Sequence, residues 1–100
     1  MDLILKQLQE WYAQQCDGDW EHAQKITITT IDNPGWSIKI NLEGTELEDK
    51  PFIKIFDDRS DDDWVFCNVA NNQFQVYGGT GNLMEMLQIF INWAESTEEN

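Results

Sequence analysis

The chain has 100 residues, 41% of them apolar, with five Trp and five Phe; that is one domain with apolar mass for a core that needs neither disulfide nor metal. Six Lys and Arg against nineteen Asp and Glu give a net charge of −13, which speaks against a nucleic-acid binder and against docking on an anionic membrane. No apolar run approaches the ~20 residues of a membrane span, Met1 to Lys6 lacks a signal-peptide pattern, and two Cys make no disulfide framework, so a cytoplasmic protein with reduced thiols is expected.

Helical period opens the chain. Leu5, Leu8, Tyr12 and Gln15 fall on one stripe with Ile4 and Trp11 on its flank, which predicts a helix over 2–15 ended by Asp17-Gly18. The period then becomes two. Residues 25–31 are almost all β-branched and read as a strand. Asp32-Asn33-Pro34-Gly35 breaks it, with Pro and Gly placed for a type II turn. Trp36, Ile38, Ile40 and Leu42 alternate with Ser37, Lys39 and Asn41, a strand with one buried and one wet face.

After an acidic connection over 43–50, a third strand is predicted at 52–56 and a loop at 57–63. Trp64 to Val69 reads as a strand that is apolar on both faces except at Asn68. Asn71-Asn72 makes a tight turn into a short strand at 74–77. Gly78-Gly79-Thr80-Gly81 reads as a flexible break. Asn82 and Glu85 have capping-box spacing for a helix over 82–95, whose buried stripe is Leu83, Leu87, Phe90 and Ala94, widened by Met86, Ile91 and Trp93. Residues 96–100 are expected to fray.

Short connections favour antiparallel pairing. The predicted fold is α+β: a five-stranded antiparallel meander with the N- and C-terminal helices on one face. Loops then alternate between two ends. One end gathers residues 17–24, 43–50 and 71–72; the other gathers 32–35, 57–63 and 78–81. Both are acidic, and the second concentrates its charge in one continuous stretch.

Little in the chain carries chemistry. The glycines at 78–81 match no nucleotide fingerprint. Cys16, His22 and Cys67 form no close pair of the kind structural zinc takes, so no metal and no cofactor is expected. A thiol enzyme using Cys16 and His22 is the alternative, without an evident orienting group. The acidic stretch from Asp57 to Asp63 lacks the Gly and terminal Glu of a calcium loop. It reads either as a solvated loop or as a docking surface for a basic partner.

Three stretches carry a resemblance. They are Leu8-Gln9-Glu10-Trp11-Tyr12 leading to Cys16-Asp17-Gly18-Asp19-Trp20-Glu21-His22, then Thr30-Ile31-Asp32-Asn33-Pro34-Gly35-Trp36, and Asn82-Leu83 with the closing Trp93. Together they resemble the Immunity protein 53 family of bacterial polymorphic toxin systems, over Leu3 to Trp93. The resemblance implies a small cytoplasmic protein that binds one cognate toxin domain and neutralises it without catalysis. A toxin acting on nucleic acid presents a basic cleft, into which negative charge would steer the inhibitor. The expected contact residues are Asp32, Asn33, Asp57, Asp58, Asp61, Asp62 and Asp63, with Trp20, Glu21 and His22 as a second set. Trp20 and Trp36 are candidate anchors, and the core is the competing place for each.

Overall fold

The computed structural model describes residues 3–96. Helix α1 (Leu3–Gln15) and a short helix α2 (Trp20–Ala23) precede β1 (Ile26–Ile31), β2 (Gly35–Asn41), β3 (Ile55–Ser60), β4 (Asp63–Ala70) and β5 (Gln73–Gly78), and α3 (Leu83–Glu95) follows. Residue 2 and residues 97–100, where the helix start and the fraying tail were expected, lie outside the described residues.

The sheet is antiparallel throughout, and α1 and α3 cover one face of it. Its order is β1-β2-β5-β4-β3. The neighbour of β2 is therefore β5, where a strictly sequential meander would place β3. Charge accounts for the order. β5 has no charged residue and takes the centre, whereas β3 carries Asp57, Asp58 and Arg59 and takes an edge, where charge deters pairing with other chains. Strand directions still alternate along the chain, so the two loop ends are those expected from the sequence.

The core forms between the inner sheet face and the helices. Ile38, Ile40, Phe74, Val76 and Val65 are fully buried against Met86, Leu87, Phe90 and Ile91 of α3 and Leu8 and Trp11 of α1. The α1 stripe is rotated from its sequence pattern: Leu8 and Trp11 go inward, while Leu5 and Tyr12 are about half exposed. Trp11 decides this, because its ring sits edge-on to Phe90 at 5.0 Å and its Nε1 donates to Glu46 Oε2 at 2.9 Å.

Several turns differ from expectation for local reasons. Asn71 and Asn72 do adopt positive φ, 55° and 58°, the geometry of a two-residue hairpin. The turn before β2 is not type II: the Asn33–Pro34 bond is cis and Gly35 is already in the strand. A Cβ at Gly35 would collide with the Gly78 carbonyl, so this glycine serves close strand approach. Residues 78–81 are no loose break either. A Cβ at Gly79 would stand 2.6 Å from the Asp62 carbonyl oxygen, and both Gly78 and Gly79 are buried.

The predicted strand at 52–56 starts late, at Ile55. Pro51 and Phe52 instead close the core beneath α3. Trp93 Nε1 donates to the Pro51 carbonyl at 2.8 Å, and Phe52 packs edge-on to Trp93 at 5.3 Å. The predicted acidic loop at 57–63 is consequently mostly strand, only Asp61 and Asp62 remaining as a turn, with Asp57 opposite Val65, Asp58 opposite Trp64 and a register shift before Ser60.

Candidate functional site

Two surfaces are built from residues that the core does not use. The first is the end of the sheet where the β1–β2 turn, the β3–β4 turn and the start of α3 converge. Asn82 organises it. Its Oδ1 accepts from the backbone N–H groups of Gly79 (3.1 Å) and Trp64 (3.3 Å), and its Nδ2 donates to Asp63 Oδ1 (3.0 Å) and Glu85 Oε1 (3.1 Å). The capping box expected from its spacing is thus replaced by a tie between two loops. Its side chain makes no helix-cap bond.

Arg59 shares the same carboxylates. Its guanidinium reaches Asp57 at 2.9 Å, Asp63 at 2.8 Å and Glu85 at 2.7 Å. The Asn82 amide and the Arg59 guanidinium hold the Asp63 carboxyl below its ordinary pKa, and Arg59 and then Asn82 do the same for Glu85. The arginine's own pKa is raised in return. Asp57 and Asp63, expected as free docking charges, are therefore engaged in binding β3 to α3. Asp62 accepts from the Ser60 hydroxyl at 3.1 Å. The carboxylates of Asp32, Asp58 and Asp61 are exposed and make no hydrogen bond or ion pair among the described residues, so they carry the outward charge of this end. Asn33 is exposed beside Asp32.

At the opposite end Asp17, Glu21, Glu46 and Glu48 are used internally, while Asp19, Glu43 and Asp49 are exposed. Asp17 Oδ1 accepts from the backbone N–H groups of Asp19 and Trp20, both at 3.0 Å, and these bonds lower its pKa. Glu21 accepts from the N–H groups of Asp17 and Gly18, and its carboxyl is likewise lowered, chiefly by its own backbone N–H. Glu46 holds Trp11, and Glu48 accepts from Gly44 N–H at 3.2 Å. Trp20 is buried, with Nε1 donating to the Glu43 carbonyl at 2.8 Å. Of the second set of expected contact residues, Trp20 is thus a core residue, Glu21 braces the loop and His22 is exposed on α2. Trp36 is half-buried against the core, and its Nε1 donates to the Thr80 carbonyl at 3.0 Å.

The second surface is the sheet face away from the helices. Phe56 lies opposite Phe66, Phe66 opposite Tyr77, and Asp58 opposite Trp64, so all five side chains share that face. The Phe56 and Phe66 rings stack at 4.4 Å with an interplanar angle of 14°, and Trp64 lies 5.0 Å from Phe66. The sequence held one signal of this row, a fourth strand apolar on both faces.

The remaining candidates are separate. Cys67 faces the core, and burial pushes its thiol up to about 12; Cys16 is exposed, with Sγ near the Tyr12 carbonyl at 3.4 Å. No group of three or more His, Cys, Asp or Glu among the described residues is arranged to hold a metal ion. No helix among them is long and apolar enough to cross a membrane.

Comparison with known families agrees with this frame. The Immunity protein 53 family matches residues 5–95, which takes in both surfaces and every element of the sheet. The chain belongs to the Immunity protein 53 family. No curated protein and no solved structure matches it. In this immunity-family chain the conspicuous aromatic pieces, Trp11, Trp20, Trp36 and Trp93, are all core or core-packed residues. They explain how the fold is held, and the residues left on the surface are those available to a partner.

Proposed function

We propose that this chain is an immunity protein that binds a cognate bacterial toxin domain by direct contact and neutralises it in the cytoplasm, with no catalytic step of its own. The observation that carries the reading is the family match over residues 5–95. The charge of −13 supports a basic partner, such as a toxin acting on nucleic acid. We assign first contact to the end holding Asp32, Asn33, Asp58, Asp61 and Asp62, because Asp58, Asp61 and Asp62 lie close together along one strand and its turn, whereas the exposed acids of the other end, Asp19, Glu43 and Asp49, are spread over two loops. Charges in one exposed patch act together within a Debye length of about 8–10 Å at ordinary salt.

The test is co-expression with a toxin domain sought among the products of the neighbouring genes. Growth should be rescued by the wild type and equally by Cys16→Ser, and an inactivated toxin should co-purify with the chain. Rescue that is lost with Cys16→Ser would favour the thiol enzyme. Absence of both rescue and co-purification would refute the binding reading.

A further inference from the structure

Five of the twelve aromatic residues lie outside the core, and four of them, Phe56, Trp64, Phe66 and Tyr77, form one patch on the face that no helix among the described residues covers. Phe56 is 73% exposed, although apolar rings of that size favour burial. Beside this patch lies a shallow hollow of about 200 Å³ lined by Lys54, Phe56, Phe66, Asn68, Gln75 and Tyr77. Asp58 stands on the same face directly across from Trp64, and the Asp61–Asp62 turn continues beyond it. Lys54 lines the hollow itself and Lys39 stands opposite Gln75, so the two cations of this face lie on the side away from that turn.

We propose that this aromatic patch is the anchor of the toxin interface, and that it receives arginine side chains of a basic toxin surface. The inference rests on the binding reading above and names where the affinity comes from. Charge complementarity selects the occupant. A guanidinium is planar, stacks on aromatic faces and pairs with a carboxylate in its own plane, and the patch offers rings with Asp58 alongside. A second copy of this chain would bring another charge of −13 against the first, which opposes self-association. Division of labour follows. The acids at 58, 61 and 62 govern encounter, and the rings govern residence, since hot spots are desolvated aromatic centres ringed by polar contacts.

The experiment measures association and dissociation of an inactivated toxin domain, sought among the products of the neighbouring genes, with the wild type and four variants. Phe56→Ser should raise Kd about thirtyfold or more, the scale of a hot-spot loss, mainly through faster dissociation. Phe56→Trp should restore binding, because a ring is returned. Asp58→Lys places a cation opposite Trp64 and should weaken binding without relying on loss of a ring. Leu5→Ser, an exposed apolar residue on α1 and so on the other side of the sheet, is the control and should bind as the wild type does. If the wild type binds and both Phe56→Ser and Asp58→Lys stay within about threefold of it, a difference too small for a hot spot, the anchor lies elsewhere and this proposal is overturned while the binding function stands. If the wild type itself does not bind, both fall. A wild type that dimerises in solution and is made monomeric by Phe56→Ser would also overturn the proposal, in favour of a second copy as occupant.

Discussion

The Arg59 guanidinium donates through Nη2 to Glu85 Oε1 at 2.7 Å, joining an edge strand to the first turn of a helix 26 positions away in the chain. The pair lies at the surface, yet the same guanidinium also holds Asp57 and Asp63, and Asn82 braces two of the three acids. A networked cation of this kind does more than an isolated surface pair, which is commonly worth little. Arg59→Met should therefore loosen the β3–β4 turn, read as faster amide exchange at Ser60 to Asp62, while the core strands stay protected. Unchanged exchange there would show that the network is ornamental.

The same network gives a pH dependence. Asp63 and Glu85 titrate lower in the folded chain than in the unfolded one, so the folded state binds fewer protons in the acidic range. Their contribution is fully present above the ordinary carboxylate range of about 4 and is lost as pH falls through the folded values. Thermal midpoints of the wild type should drop on acidification below about pH 4. Arg59→Met should show a shallower drop. Identical slopes for the two proteins would contradict this account.

The two leucines of α1 should part company. Leu8→Ala removes a buried side chain, 8% exposed, and should cost about 2–5 kcal/mol. Leu5→Ala removes one that is 52% exposed and should stay within about 0.5 kcal/mol. Chemical denaturation measures both. Equal losses would mean that the helix is rotated from the position described.

The glycines offer a sharper contrast. Gly79→Ala forces a Cβ against the Asp62 carbonyl and should destabilise by about 1–3 kcal/mol, the usual range for overpacking, or more if the backbone cannot shift. Gly81→Ala meets nothing within 4 Å and should be neutral or slightly stabilising. A true hinge would tolerate both changes alike.

Thiol accessibility separates the cysteines. One thiol, Cys16, should react promptly with a disulfide-exchange reagent in the native protein. Cys67, buried and with its pKa pushed up to about 12, should react only on unfolding. Two promptly reacting thiols would place β4 outside the core.

The sequence by itself determined what is set by neighbours along the chain. The alternation of Ile38, Ile40 and Leu42 with Lys39 set which face of β2 meets the helices, because period two has one reading in a strand. Ser37, on the face expected to be wet, is nevertheless also buried, and Trp36 only half so. Asn71-Asn72 fixed a hairpin, because few residues accept two successive positive φ values. Leu87, Phe90 and Ile91 fixed the inward face of α3. The antiparallel sheet and the single helical layer followed from short connections between such elements.

Tertiary structure decided the rest, wherever two segments competed for one partner. Phe52 fits under Trp93, which removes it from a strand and leaves Asp57 to Ser60 to pair with β4 despite their poor β-propensity. α1 turned on its axis because Trp11 found Phe90 and Glu46, partners far away in sequence. The candidate site shows the same limit. Composition counts nineteen acids, but only the fold shows that Arg59 takes up Asp57 and Asp63 while Asp58 remains free beside a stacked pair of phenylalanines. Local pattern specifies which way a side chain points; what it meets there depends on contacts that close only when the whole chain packs.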